Sequence, residues 1–120
     1  MGKFNSFEEI NSWQKARLLN KRIYTITDSD LFRRDFDLSR QIRRSSVSIS
    51  SNIAEGFERN TDKEFIHFLF IAKGSAGEVR SQLYLAFDLN YITEEVFNEL
   101  LSEISEISKL LSGFIKYLSK

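Results

Sequence analysis

The sequence contains no cysteine and no proline, and only five of its 120 residues are glycine. Without cysteine there is neither a disulfide framework nor thiolate chemistry, which is typical of the cytoplasm, and we expect a cytoplasmic protein. Without proline nothing interrupts long helices, so capping residues and polar turns must separate the elements. The glycines form no phosphate-binding loop.

The chain also lacks net charge and long hydrophobic runs. Seventeen basic residues cancel seventeen acidic ones, which removes the broad attraction that proteins built to bind nucleic acid exert on phosphates. No apolar run is long enough for a membrane span, and the first residues lack a signal-peptide core. With 42% hydrophobic and 28% charged residues, we expect one globular domain over residues 1–120 and no membrane partner.

Apolar residues recur at steps of three and four, which is the period of amphipathic helices. This pattern predicts four helices, over about residues 7–26, 36–58, 62–89 and 94–118. Ser6 with Glu9 and Thr61 with Glu64 have the spacing of a capping box, and Thr93 has the character of a plain N-cap. The polar segment 27–35 breaks the period and is predicted to be the longest connection. We expect an all-α fold, an antiparallel up-and-down four-helix bundle.

The second predicted helix contains a stretch whose alternation also resembles a strand, Ser46–Ser50. The alternation fails on both sides of this stretch, whereas a stripe of apolar and small residues continues at helical spacing from Leu38 to Phe57. The sequence therefore favours a helix. The small serines of this helix would let a neighbouring backbone approach closely.

The first half of the third predicted helix is apolar on every side, because residues 65–72 are hydrophobic except for His67. A four-helix bundle cannot cover every side of one helix, so this pattern predicts self-association. In the alternative, Phe65 and Phe68 lie beneath the connection between the first two helices. The candidate residues of an oligomer interface are Phe65, Phe68, Phe70 and Ile66.

A polar stripe follows one face of the second helix at steps of three and four. Short amides and hydroxyls in such a stripe favour hydrogen bonds to another helix or subunit, with solvent exposure and ligand recognition as alternatives. The stripe consists of Gln41, Arg44, Ser48, Asn52 and Glu55.

Positive charge is concentrated between residues 33 and 44, where five arginines stand against two aspartates. Arg40 and Arg44 lie one turn apart and suit a phosphate backbone, or the carboxylates of the fourth helix in the same or a neighbouring subunit; we favour the carboxylates. An oligomer would multiply a weak patch through avidity. The candidate nucleic-acid contacts are Arg33, Arg34, Arg40, Arg43 and Arg44.

Catalytic and metal-binding constellations are incomplete. Glu64 and His67 have the spacing of half a di-iron site, but such sites need a second pair, and His67 is the only histidine. The serines of the second helix have no histidine base within reach in sequence. We expect no enzyme, no cofactor, no metal and no small-molecule substrate.

Three motifs together resemble a known family. Residues 41–57, QIRRSSVSISSNIAEGF, resemble the hallmark of the bacterial four-helix bundle proteins named for 23S ribosomal RNA intervening sequences. The first helix of that family is resembled by Phe7-Glu8 with Trp13-Gln14-Lys15-Ala16. Its third helix is resembled by Glu64-Phe65 with Phe68-Leu69, Ala72 and Gly74-Ser75. Ser50 departs from the family, which usually has proline there, and this difference predicts a less kinked second helix.

The resemblance implies a helical protomer that forms closed rings, commonly pentamers, with no assigned activity. A related group of basic, nucleic-acid-associated rings assists reverse transcriptases, and this neutral chain departs from that group. Two functions therefore follow from the sequence. The first is a homo-oligomeric scaffold or interaction protein, and the alternative is an accessory protein that binds RNA or DNA through its arginine patch.

Overall fold

The computed structural model describes residues 4–120, which fold into antiparallel helices. A single 3₁₀ turn at Phe7–Glu9 precedes five α-helices, namely α1 (Asn11–Thr27), α2 (Asp30–Arg34), α3 (Phe36–Phe57), α4 (Asp62–Asp88) and α5 (Glu94–Leu118). Helices α3 and α5 each pack against both α1 and α4, so α3 and α5 occupy diagonal positions in a bundle about 45 Å long. The predicted all-α, antiparallel four-helix bundle is confirmed.

The core consists of the inward stripes of the four long helices. In α4, the inward positions are at most 1% exposed, and they are Phe65, Leu69, Ala72, Ala76, Val79, Leu83 and Ala86. Fully burying one large apolar side chain contributes about 1.5–3 kcal/mol. In α3 as well, the burial of inward-facing apolar side chains holds the helix in place between its neighbours, because the helix propensity of its serines is modest.

Two of the three predicted N-caps are present. The Thr61 hydroxyl accepts a hydrogen bond from the Glu64 backbone N–H at 3.1 Å, and the Thr93 hydroxyl accepts one from the Val96 N–H at 3.2 Å. Asn90, which follows α4, adopts the left-handed backbone conformation, with φ of 62°.

The capping box at Ser6 is wrong, and α1 begins later than predicted. The side chain of Ser6 caps no backbone group. Ile10 is extended, with φ of −78° and ψ of 123°, because its side chain turns into the core, where it is 2% exposed. This extended residue separates the 3₁₀ turn from α1, and the Glu9 carboxylate accepts instead from the Asn5 N–H at 3.1 Å.

The connection predicted at 27–35 contains the short helix α2, which the periodicity did not reveal. Phe32 of α2 is fully buried, and its ring lies 5.1 Å from that of Tyr91. Tyr91 lies between α4 and α5, at the end of the bundle opposite to Phe65 and Phe68. The connection between α1 and α3 therefore covers that opposite end. The alternative in which the connection shields those two phenylalanines is therefore wrong.

The helices α3 and α4 approach each other most closely at Gly56. A Cβ atom at this position would lie 2.8 Å from Cδ1 of Phe65 and 2.9 Å from Cβ of Phe68. Further along the same interface, the Ser75 hydroxyl donates to the Ser48 hydroxyl at 2.9 Å. On the other side of α3, the Asn20 amide donates to Ser50 at 3.0 Å.

None of the helices within residues 4–120 has the length and apolar character required to cross a bilayer.

Candidate functional site

An open groove runs along the outward face of α3 and the adjoining edge of α1. We call it the arginine groove. It has a volume of about 610 Å³ and is lined by Tyr24, Phe36, Ser39, Arg40, Arg43, Arg44, Val47, Ser48 and Ser51. Cations, aromatic rings and hydroxyl groups therefore share one concave surface.

The helical period places these residues together. Phe36, Arg40, Arg44 and Val47 follow one another at steps of four, four and three, which brings them onto one face of α3. The N-terminus of α3 is fixed by Asp35, whose carboxylate accepts from the Leu38 N–H at 3.0 Å. The burial of small serines on the opposite face turns the arginines outward.

Arg43 is anchored to α1. Its Nε donates a hydrogen bond to the Thr27 hydroxyl at 2.8 Å, and its guanidinium lies 4.4 Å from the centre of the Tyr24 ring. This cation–π arrangement fixes both side chains at the wall of the groove.

Arg40 and Arg44 are exposed, and neither is within ion-pair distance of a carboxylate anywhere in residues 4–120. Contact with the fourth-helix carboxylates of the same chain, which the sequence allowed, is wrong because α3 and α5 are diagonal. The corresponding contact with a neighbouring subunit stays a prediction. Two free guanidinium groups one turn apart are thus available to an anion.

The carboxylates of α5 instead pair with cations of α1, which the sequence analysis missed. Arg22 binds Glu99 at 2.9 Å and Glu103 at 2.7 Å, while Lys15 lies 3.4 Å from Glu106. The hydrogen bond to Glu99 is the main reason that the pKa of Arg22 is raised. The acidic residues of α5 recur at steps of three and four. This spacing was the sequence signal from which a row of ion pairs between α5 and a neighbouring helix could have been predicted.

The two arginines of α2 lie outside the arginine groove. Arg33 is exposed and 3.8 Å from Asp30, and Arg34 lines an adjoining open pocket with Asp35 and Asp37, on the other side of Phe36. The neighbouring aspartates reduce the positive potential there, so the five sequence-predicted arginines do not form one site.

The five residues of the polar stripe fall into three groups. Asn52 donates from its amide to the Ser48 carbonyl at 2.8 Å and to the Ser48 hydroxyl at 3.0 Å, so these two residues belong to the network between α3 and α4. Glu55 pairs with Arg59 at 2.9 Å. The side chains of Gln41 and Arg44 are exposed and bond to no other described residue.

The four candidate interface residues of α4 differ in exposure. Phe65 is 1% exposed and packs edge-on against the Phe114 ring at 5.1 Å, so its own chain covers it and it offers no surface to a second molecule. Phe68 is half-buried, with the Arg59 guanidinium 4.7 Å from its ring centre. Ile66 is half-buried, whereas Phe70 is 54% exposed.

The outward face of α4 beyond Phe70 carries two glycines. Gly74 and Gly77 lie one turn and two turns after Phe70, and a Cβ atom at either would meet nothing within 4 Å. Leu85, further along the same face, is 47% exposed. We call Phe70, Gly74, Gly77 and Leu85 the α4 outer face.

Glu64 and His67 both lie in the first two turns of α4. No group of three or more metal-binding side chains occurs in the part of the chain that the structure describes. Glu64 lies in the first turn of α4, where its carboxylate accepts from the hydroxyl of the N-cap residue Thr61 at 3.3 Å. His67 is exposed and packs beside the Phe68 ring.

The fold and the sequence are similar to those of known proteins. The crystal structure of a protein of unknown function from the S23 ribosomal protein family of Bacteroides thetaiotaomicron VPI-5482 is 32% identical in sequence, with a TM-score of 0.81. The similarity covers 88% of this chain and 95% of that one. No curated protein matches the sequence. The model of the 23S rRNA-intervening sequence protein family matches residues 8–113, and the chain therefore belongs to this family.

Proposed function

We propose that this protein is a homo-oligomeric scaffold or interaction protein whose copies associate through the α4 outer face. The observation that carries the proposal is Phe70, which is 54% exposed beside two glycines that leave open space around them. The proposal includes no catalytic activity, cofactor or small-molecule substrate.

Three features of the α4 outer face favour a second copy as its partner. Apolar side chains stand at both ends of the face, and burying them removes Phe70 and Leu85 from water. Gly74 and Gly77 between them let the backbone of a partner helix approach closely. A helix of 27 residues extends for about 40 Å, which is long enough to support an extensive interface.

Sedimentation velocity on two variants tests this proposal. Phe70→Glu places a charge at one end of the α4 outer face, on its most exposed aromatic residue, and we expect this variant to sediment as a 14.0 kDa monomer. Ser102→Glu is the matched control, because it adds the same charge at an exposed position of α5 and should retain the assembly of the wild type. Equal sedimentation of both variants and the wild type would contradict the proposal. The pentamer implied by the family resemblance is one form of this assembly.

A second candidate function is nucleic-acid binding through the arginine groove. The specific support is that Arg40 and Arg44 have no carboxylate partner, while Glu99, Glu103 and Glu106 of α5 are already engaged by α1. This engagement leaves fewer carboxylates for a neighbouring subunit to offer. Binding of labelled RNA should weaken with salt, and the double variant Arg40→Ala, Arg44→Ala should reduce the salt slope by about two. An unchanged salt slope would show that Arg40 and Arg44 do not contact the phosphates of the RNA.

A further inference from the structure

The most exposed large apolar side chain among residues 4–120 is Phe36, at 74%, and it stands at the end of the arginine groove. Its exposure follows from the register of α3. Leu38 is 5% exposed and faces the core, and a residue two positions earlier is rotated by about 200° on a helix, so Phe36 must face outward. The core does not require an aromatic residue at this position.

On the outward face of α3, the aromatic ring of Phe36 is followed by two arginine side chains in a row along the helix. Arg40 lies one turn further along α3 and Arg44 a second turn, with about 5–6 Å between successive Cβ atoms. Both guanidinium groups lack a carboxylate partner in the described chain. On the other side of Phe36, the carboxylates of Asp35 and Asp37 outnumber the single guanidinium of Arg34. This balance disfavours an anion there and favours one near Arg40 and Arg44.

We infer that the arginine groove binds single-stranded nucleic acid, with one base stacked on Phe36 and the adjoining phosphates held by Arg40 and Arg44. This inference rests on the second candidate function above. A positively charged groove combined with an exposed aromatic ring is the usual means of binding a single strand, because every base has a face that can stack. The groove volume of about 610 Å³ suits a ligand of nucleotide size.

A duplex fits this surface less well. Its base faces are stacked on one another, so the Phe36 ring would gain no partner. Duplex binding without base contacts depends instead on a broad basic surface that releases counterions, whereas this chain has no net charge. The second ring of the groove, Tyr24, already carries Arg43 on its face, which leaves Phe36 as the free stacking platform.

Fluorescence anisotropy with labelled oligonucleotides of about 12 nucleotides tests the inference on the full chain. The probes are oligo(U), oligo(dT), an RNA duplex of the same length, and inorganic polyphosphate as competitor. We expect both single strands to bind at least tenfold more tightly than the duplex at about 50 mM salt. A preference for oligo(U) over oligo(dT), or the reverse, identifies which nucleic acid the groove selects.

The decisive variants change the ring and leave the arginines in place. Phe36→Ala should weaken single-strand binding roughly five- to hundredfold without affecting duplex binding, and Phe36→Trp should restore it. Leu18→Ala is the matched control, because Leu18 is 66% exposed on α1 and lies outside the groove. Both replaced side chains are largely exposed, so neither variant should unfold the protein.

Three results would overturn the inference. If Phe36→Ala binds as the wild type does while Arg40→Ala, Arg44→Ala weakens binding, stacking is excluded and the second candidate function stands. If polyphosphate competes as well as oligo(U), the groove recognises charge alone. If no probe binds at low salt, both the inference and the second candidate function fail.

Discussion

Replacing Gly56 with alanine tests the packing of α3 against α4. The added Cβ would lie 2.8 Å from Cδ1 and 3.2 Å from the carbonyl oxygen of Phe65, and 2.9 Å from Cβ of Phe68. Two of these atoms belong to or adjoin the α4 backbone, so a side-chain rotation cannot relieve the overlap. The two helices must separate at this point, and the core around Phe65 must loosen.

The magnitude follows from two opposing terms. Overpacking a tight interface costs about 1–3 kcal/mol, while alanine gains at most about 1 kcal/mol over glycine in a helix. We therefore expect Gly56→Ala to lower the free energy of unfolding by about 1–2 kcal/mol, which for a chain of this size corresponds to a decrease in Tm of about 3–8 °C.

Chemical denaturation at one fixed protein concentration measures this change, since association would otherwise alter the apparent stability. Gly113→Ala is the matched control. Gly113 lies within α5, and a Cβ there would meet nothing within 4 Å, so this variant should be more stable than the wild type by about 0.5–1 kcal/mol. If Gly56→Ala is stabilised to the same extent, the described contact between α3 and α4 is wrong.

Three further predictions concern polar contacts. Arg22→Met should lower the free energy of unfolding by about 0.5–1 kcal/mol at low salt, because the two carboxylates of α5 lose their partner, and the difference should shrink in about 1 M NaCl. An undiminished difference would exclude an ionic cause. Asn20→Ala should cost about 1–3 kcal/mol by thermal denaturation, because the fully buried Ser46 hydroxyl loses its acceptor; a neutral effect would contradict this. The hydrogen bond to Asp35 raises the pKa of Tyr91. The contribution of this hydrogen bond to the free energy of unfolding is therefore fully present below the unfolded pKa of about 10, and it is lost as the pH rises through the higher pKa of the folded protein. The stability difference between the wild type and Tyr91→Phe should therefore disappear at high pH, and a constant difference would refute the bond.

The four long helices could be predicted from the sequence because each carries its own local signals. Thr61 and Thr93 mark the starts of α4 and α5, and apolar stripes run through every long helix at the helical period. Two features lacked such a signal. Phe32 is the one buried residue of a five-residue helix and therefore creates no period, while Ile10 satisfies the period although its backbone is extended.

The candidate sites were predicted less completely, because they depend on which helices are neighbours. The arginines of the groove were identified from the sequence, but Tyr24 reaches them only through the packing of α1 against α3. Likewise, the sequence could not show that α5 lies beside α1 rather than α3, so Arg22 was missed as the partner of Glu99. Phe65 was named as a candidate interface residue because a helical segment that is apolar on every side does not show which of its rings the neighbouring helices cover.

Light scattering of the wild-type protein tests the central claim, self-association through the α4 outer face, most directly. Across about 1–100 µM protein, we predict one species whose mass is a whole-number multiple of the 14.0 kDa chain. A mass of 14.0 kDa throughout this range would show that Phe70 faces water in solution and would contradict the account.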